Sequence, residues 1–251
     1  MRSIKGMVWL LIKKVISFIP RKFRQRLIEE MVRVERASEP RDAVKWLLGI
    51  HDFIGLEIDH ASIRWGDGIH IKHELMNNIH SFFYERVSQG AKVLDLGCGI
   101  GAVADSIARH TNAKVLGIDM NENSITFAKQ KFQHPNLQFM LGDVFKDIPP
   151  TQTFDVIVLS SVLEHLERRA TFLEELNQKF KPQKFLIRVP TFEQHYFKAL
   201  KRELGLYAFV DPTHVLEYSD EVFVAEIEQA GLKIVYMETR WGDIWAECAS
   251  Q

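Results

Sequence analysis

The apolar positions of this chain change their period once, near residue 90. Before it, Ile4, Met7, Val8, Leu11, Ile12, Val15, Phe18 and Ile19 recur at helical spacing, with Lys13 and Lys14 off that stripe and Trp9 at its border. Pro20 predicts the end of this helix, and Arg21 to Glu35 reads as a second, more polar one. Glu39-Pro40 separates them from a third helix near Ala43 to Leu48, which Gly49 is expected to stop, and Asp59 to Gly68 reads as a loop. Helical spacing returns from Glu74 to Val87, with Gly90 as its expected C′ stop.

From Lys92 onward short apolar runs near Val93, Val115, Leu137 to Met140, Val156 and Phe185 to Val189 alternate with helical segments. That order predicts a doubly wound α/β fold, a parallel sheet with helices on both faces. Two more strands are expected at Lys233 to Glu238 and Asp243 to Cys248, after a helix whose N-cap is Ser219. The chain thus divides into a basic helical extension at 1–36, a helical lead-in or cap at 37–89, and the α/β domain at 90–251.

The apolar fraction of 46% is ample for a buried core. The two cysteines, Cys98 and Cys248, are too few for a disulfide framework, so a reducing cytoplasm is the expected compartment. A net charge of −1 conceals an asymmetry. Residues 1–26 hold eight Lys and Arg and no acid, while the remainder sums to −9. No run there approaches the roughly 18 apolar residues a spanning helix requires, and no small-residue cleavage site follows it. Residues 1–19 are therefore expected to lie on a membrane surface, peripheral on the inner face of the cell membrane; burial against protein is the rival reading.

The densest chemistry lies in Val93-Leu94-Asp95-Leu96-Gly97-Cys98-Gly99-Ile100-Gly101 and in Lys114-Val115-Leu116-Gly117-Ile118-Asp119. A strand ends on a carboxylate, turns through three alternating glycines and enters a helix near Ala102; the next strand ends on another carboxylate. Such glycines let a ligand approach the main chain, and the second acid lies where a ribose diol is bound in a βαβ unit. Gly97-x-Gly99-x-x-Ala102 also fits a dinucleotide site, but pyrophosphate wants a bare helix N-terminus, which Asp95 would oppose. S-adenosylmethionine carries an ammonium and a sulfonium and no phosphate. Asp-x-Gly-x-Gly favours that methyl donor.

On these residues the chain resembles class I S-adenosylmethionine-dependent methyltransferases, over roughly Gly90 to Gln251, with a weaker echo at Gly68 to His73. Four motifs follow the family's order: Val93 to Gly101, Asp119, Leu141-Gly142-Asp143-Val144, and Phe154 to Ser160. The resemblance implies a seven-stranded Rossmann-like sheet with its last strand inserted antiparallel. It also implies a donor site of Asp95, Gly97, Cys98, Gly99, Gly101, Asp119, Met120, Asp143, Val144 and Ser160. Within it Asp119 would bind ribose, Asp143 the adenine amino group, and the Val144 main chain a ring nitrogen. The family's Lys-Pro-Gly-Gly turn is here Lys181-Pro182-Gln183-Lys184. Some quinone-biosynthesis O-methyltransferases hold magnesium with Glu-x-x-Glu-His; Ser161 stands where the first glutamate would be, so no metal ligand is assigned, with Asp211-Pro212-Thr213-His214 left as a source of the missing oxygen or of a second base.

Ser160 to Leu166 leaves the fourth strand at the catalytic lip. Methyl transfer to oxygen needs the acceptor hydroxyl polarised and held in line with the sulfonium. His165 is the first candidate base, oriented by Glu164, with His214 of Asp211-Pro212-Thr213-His214 as a second base. The structural alternatives are a helix opening at Glu164-His165, a loop-and-cap element at Asp211 to His214, a helix cap at Asp119 and a plain turn at Asp143. Asp155 is expected to cap or pair locally. The chain lacks Asn-Pro-Pro-Tyr and Pro-Cys elements and a basic, aromatic-laced patch, so no nucleic-acid partner is expected. Trp241 to Glu247 resembles a bacterial subgroup associated with glycan modification, for which Trp65, Trp241 and Trp245 offer stacking faces or core. The expected activity is direct SN2 O-methylation of a small-molecule, glycan or lipid-linked acceptor. An NAD-linked oxidoreductase and a non-catalytic, membrane-attached scaffold are the rivals.

Overall fold

The computed structural model describes residues 4–75 and 78–250, which form two compact units: Met1–Ile58 with Glu203–Leu206, and Asp59–Arg202 with Tyr207–Gln251. The division at 58/59 falls inside a helix.

In the first unit α1 (Ile4–Phe18) stops before Pro20, and α2 (Arg21–Arg36) follows it. The α1 side chains of Ile4, Met7, Val8 and Leu11 lie outside the described set. The third helix, α3 (Pro40–Trp65), does not stop at Gly49, and Asp59–Trp65 is helix rather than loop. One glycine costs a helix only about 1 kcal/mol relative to alanine, and apolar spacing resumes beyond it. The loop shrinks to the turn after Trp65, where Asp67 and Gly68 adopt positive φ. Helix α2 buries no residue: Phe23, Leu27, Met31 and Val34, on one face, are all more than half exposed. Among the described residues no helix is long and apolar enough to cross a membrane.

The second unit continues with α4 (Lys72–Leu75), α5 (Asn78–Tyr84), β1 (Lys92–Leu96), α6 (Ala102–Thr111), β2 (Lys114–Asp119), α7 (Glu122–Lys131), β3 (Leu137–Leu141) and β4 (Val156–Ser160). A 3₁₀ turn at Leu163–His165 leads to α8 (Arg169–Phe180), β5 (Lys184–Pro190), a second 3₁₀ turn at Phe192–Gln194, α9 (Phe197–Glu203), α10 (Asp220–Gln229), β6 (Leu232–Arg240) and β7 (Asp243–Ser250). The expected helix from Glu74 to Val87 ends at Tyr84, and its Met76 and Asn77 lie outside the described residues. Gly90 is no C′ stop: its N–H donates to the Thr111 carbonyl at 3.2 Å, tying the loop to α6.

The seven strands run β3-β2-β1-β4-β5-β7-β6, parallel from β3 to β5, with β7 antiparallel to both neighbours. The central strands are nearly continuous buried apolar runs because helices cover both faces. One layer packs Leu94, Leu159, Phe180 and Phe223 together; the other packs Phe82, Phe83, Ile107 and Trp245. Trp245, fully buried with its ring 5.3 Å from Phe82, is core and offers no stacking face, whereas Trp65 and Trp241 are exposed. Ser219 caps α10, accepting from Val222 N–H at 3.3 Å. Asp155 pairs across the sheet rather than locally. Its carboxylate accepts from Lys92 N–H at 2.8 Å and from the Gln183 side chain at 3.1 Å, because β1 and β4 start side by side. Both cysteines are free. The strand order reverses between β1 and β4, so their carboxyl ends part and leave a crevice for ligand.

Candidate active site

The glycine loop is stapled to β2 at this crevice. The N–H groups of Gly97 and Cys98 both donate to the Ile118 carbonyl, at 2.8 and 3.1 Å. The three glycines then have different causes. A Cβ on Gly97 would sit 2.7 Å from Val162, and one on Gly101 would sit 2.5 Å from Phe139, so protein packing excludes side chains at both. At Gly99, with φ +52°, nothing lies within 4 Å of a Cβ position. Only there does the loop open toward a ligand. Cys98 turns its sulfur toward β2, where a Cβ on Gly117 would meet it at 3.0 Å. Burial pushes that thiol far up, so Cys98 is no nucleophile and offers a ligand only its main chain.

Asp119 closes the loop from the other side. Its carboxylate accepts from Gly99 N–H and from Asn121 N–H, each at 2.8 Å. Asn121 is the α7 cap, accepting from Ser124 N–H at 3.1 Å, so Asp119 is not. Asp95, 1% exposed, has one carboxylate oxygen without a partner among the described residues. Its pKa rises to about 7, chiefly through burial and then through the charge of Asp119, against one favourable N–H from Ala104.

A hollow of about 380 Å³ lies beside these residues, lined by Asp119, Met120, Asp143, Val144, Phe145 and Phe172 among others. Its apolar walls come partly from Val162, Leu166 and Phe172, which sequence reasoning missed; their only signal was apolar character just after the fourth strand. Asp143 closes its own turn, accepting from Phe145 N–H at 2.9 Å and pairing with Lys146 at 3.0 Å. The Lys146 bond holds its carboxyl below the usual range. A hollow of about 490 Å³ at the opposite strand ends, around Lys92, Lys114 and Phe154, contains none of the expected donor-site residues.

An adenosine-bearing cation fits the crevice better than a dinucleotide does. The apolar walls could receive a base, Asp119 lies where it could meet a diol, and the unpartnered Asp95 oxygen could face positive charge. Those two carboxylates, once charged, would repel a pyrophosphate. His73 and His80, hydrogen-bonded at 2.8 Å in the lead-in, are held neutral by burial, with pKa values of about 3 and about 4.

Beyond β4, Ser160 lies in register with Arg188, and Ser161 turns the chain with φ +59°. The next residues form a 3₁₀ turn instead of opening a helix. The Glu164 side chain, 1% exposed, has both carboxylate oxygens unpartnered among the described residues. Burial raises its pKa to about 8, opposed first by its own backbone N–H and then by the charge of Arg188. Glu164 therefore does not orient His165 by a hydrogen bond. Thr213 does: its hydroxyl lies 2.9 Å from His165 Nδ1 and donates to Asp211 at 2.6 Å. With that hydroxyl proton committed, His165 Nδ1 must donate, leaving the Nε2 lone pair as the basic site. His214 is placed likewise, its Nδ1 3.1 Å from the buried Glu217, which Lys198 neutralises. The two imidazoles stand 4.8 Å apart, centroid to centroid. The loop that brings them together is bonded to the Glu164 carbonyl through Val215 N–H at 2.9 Å. Asp211 to His214 is thus part of the lip, and the cap of α10 is Ser219 alone.

Residues 87–244 match a family model described as a methyltransferase domain. The chain belongs to the class I S-adenosylmethionine-dependent methyltransferases. It is 34% identical over 143 residues to the mitochondrial ubiquinone biosynthesis O-methyltransferase of Schizosaccharomyces pombe, covering 50% of this chain and 51% of that protein. It is 26% identical over 164 residues to the sterol 24-C-methyltransferase of Saccharomyces cerevisiae, covering 60% and 43%. The chain thus spans about half the length of these curated relatives. In fold it is similar to magnesium protoporphyrin IX methyltransferase from Synechocystis with bound S-adenosylhomocysteine, at a TM-score of 0.57 and 18% identity over 73% of this chain and 85% of that one.

The folded Asp95 holds its proton to about pH 7 and the folded Glu164 to about pH 8, while their unfolded counterparts lose theirs near 4. The folded state therefore binds more protons in between, and ligand-free stability should fall as pH rises through that window. Asp95→Asn should flatten the dependence and raise the urea midpoint at pH 8.5. The same change should weaken S-adenosylhomocysteine binding by about 10- to 100-fold, the equivalent of one charge-assisted hydrogen bond. Urea titrations at two pH values and calorimetry of both proteins check it.

Proposed function

We propose that this protein methylates an oxygen of a small-molecule, glycan or lipid-linked acceptor. The observation that carries the reading is the hydrogen-bonded chain from Asp211 through Thr213 to His165 Nδ1, which leaves a basic nitrogen at the lip beside the donor crevice. In this reading Asp119 takes the ribose diol, Asp143 and the Val144 main chain the adenine edge, and Asp95 the ammonium. The loop from Gly97 to Gly101, Met120 and Ser160 frame the methionine end. The acceptor oxygen attacks the methyl carbon as the carbon–sulfur bond breaks, and its proton passes to His165 Nε2. S-adenosylhomocysteine leaves neutral at sulfur. The donor is intrinsically activated, so placement supplies much of the acceleration and the base a further part. His214, oriented by Glu217, is the second basic group at the same lip.

Relatives named as a ubiquinone biosynthesis O-methyltransferase and a malonyl-[acyl-carrier protein] O-methyltransferase support an oxygen acceptor. His165→Ala should lower kcat by about 10²- to 10⁴-fold with donor affinity unchanged. Label transfer from methyl-labelled donor to a panel of phenols, sugars and lipid-linked glycans measures it. An unchanged kcat would remove His165 from the mechanism.

A membrane surface as partner is supported by a separate observation. Eight cations without an acid in residues 1–26 accompany exposed apolar side chains on α1 and α2, among them Val15, Phe18, Phe23 and Leu27. Apolar insertion combined with roughly 1 kcal/mol per cation near anionic lipid would hold such helices at an interface. The full chain should sediment with phosphatidylserine vesicles and lose this when residues 1–19 are deleted. Unchanged sedimentation would contradict the assignment.

A further inference from the structure

We propose that the hollow at the amino ends of β1, β2 and β3 is a second binding site, for a soluble small molecule bearing a phosphate or pyrophosphate group, which Lys92 and Lys114 hold. The site is separate from the donor crevice. Lys92 and Leu96 are the two ends of β1, whose five residues span about 13 Å, so both sites have room to be filled together.

Strand register brings the two cations together. Lys92 and Lys114 are paired residues on neighbouring parallel strands, so their side chains leave the sheet on one face from backbones about 4.8 Å apart. Like charges so placed repel each other. Neither lysine has an ion pair among the described residues, and Asp155 commits its carboxylate to Lys92 N–H and the Gln183 side chain. The hollow of about 490 Å³ that both lysines line contains no acid, and neither does an adjoining one of about 470 Å³ around Lys129 and His134, which shares Pro135. In a chain whose acids and bases balance at 33 to 32, this lining carries charge of one sign only.

The walls are already built. The Asn136 side chain donates to the Asn112 carbonyl at 3.1 Å, and the Asn136 carbonyl accepts from Val115 N–H at 2.8 Å. A second wall is anchored by Phe154, buried with its ring 5.4 Å from that of Phe180. Beside them the amides of Gln138 and Gln152 and the hydroxyls of Thr151 and Thr153 have no hydrogen-bond partner among the described residues. They are donors left over for a ligand. The volume lies within the roughly 300–1,000 Å³ that small ligands fill. Two ammonium groups act as point charges, and a phosphate, with near two charges over three oxygens, answers both where a single carboxylate answers one.

The test titrates the full chain with inorganic pyrophosphate by calorimetry, with and without saturating S-adenosylhomocysteine. One pyrophosphate per chain should bind at submillimolar affinity in both cases. Lys92→Met and Lys114→Met should each weaken it about 10-fold or more, the loss of one charge-assisted hydrogen bond. Both side chains are exposed, and each variant should keep a urea midpoint no lower than the wild type's, because the change removes a like-charge neighbour. Pyrophosphate should raise the wild-type midpoint and move it less in the variants. No pyrophosphate binding at millimolar concentration would overturn the site. Displacement by S-adenosylhomocysteine would put the anion in the donor crevice and overturn a separate site, and binding that both variants retain would overturn the assignment to these lysines. Competition from phosphatidic acid vesicles would reassign the site to a lipid headgroup and overturn the soluble ligand.

Discussion

Two buried carboxylates without full hydrogen bonding, Asp95 at the end of β1 and Glu164 beyond the end of β4, set the character of the second unit. Burying such groups works against folding, and both shift upward in pKa because the protein around them disfavours their charge. They stand at the end of one and just beyond the end of the other of the two strands that part at the reversal in sheet order. The fold therefore places two acids that hold their protons, and that a nearby cation would draw into their charged form, at the crevice where the α/β sheet opens to a ligand. In the proposed reading, a cationic methyl donor would relieve the first site. The second lies at the lip, where the acceptor must be activated.

The scaffold around these acids is rigid for identifiable reasons. The loop after β1 is fixed by two N–H bonds to the Ile118 carbonyl and by the bond from Gly99 to Asp119. Gly97 and Gly101 are glycines because Val162 and Phe139 occupy the space a side chain would need. A motif that looks like uniform adaptation to a ligand is two packing constraints around one open position, Gly99. The lip is fixed by the bonding of Val215 to the Glu164 carbonyl, which places Thr213 and His214 against His165.

The sheet was legible in the sequence because its strands are short apolar runs that end on motif residues: Asp95, Asp119 and Ser160 all fall at carboxyl ends as expected. The helices before it were less legible. Gly49 reads as a stop, yet a mild propensity penalty does not end a helix whose apolar spacing continues, and α3 runs on to Trp65. At the site the residue types were readable but their partners were not. Glu164 precedes His165 and so looks like its orienting acid; in three dimensions the turn buries Glu164, and Thr213 takes that role from a distant loop. Trp245 looked usable for stacking, and only the packing against Phe82 and Phe83 shows it to be core.

The most direct test of this account is calorimetric titration of the protein at pH 6.5 with S-adenosylhomocysteine and, separately, with NAD, each in two buffers of different ionisation enthalpy. The account expects one molecule of S-adenosylhomocysteine per chain at micromolar affinity. It also expects protons to be released as the ligand's ammonium draws Asp95, near pKa 7 when empty, into its charged form. NAD should not bind. Binding of NAD in place of S-adenosylhomocysteine, or binding of the latter without proton release, would contradict the central role given to that carboxylate.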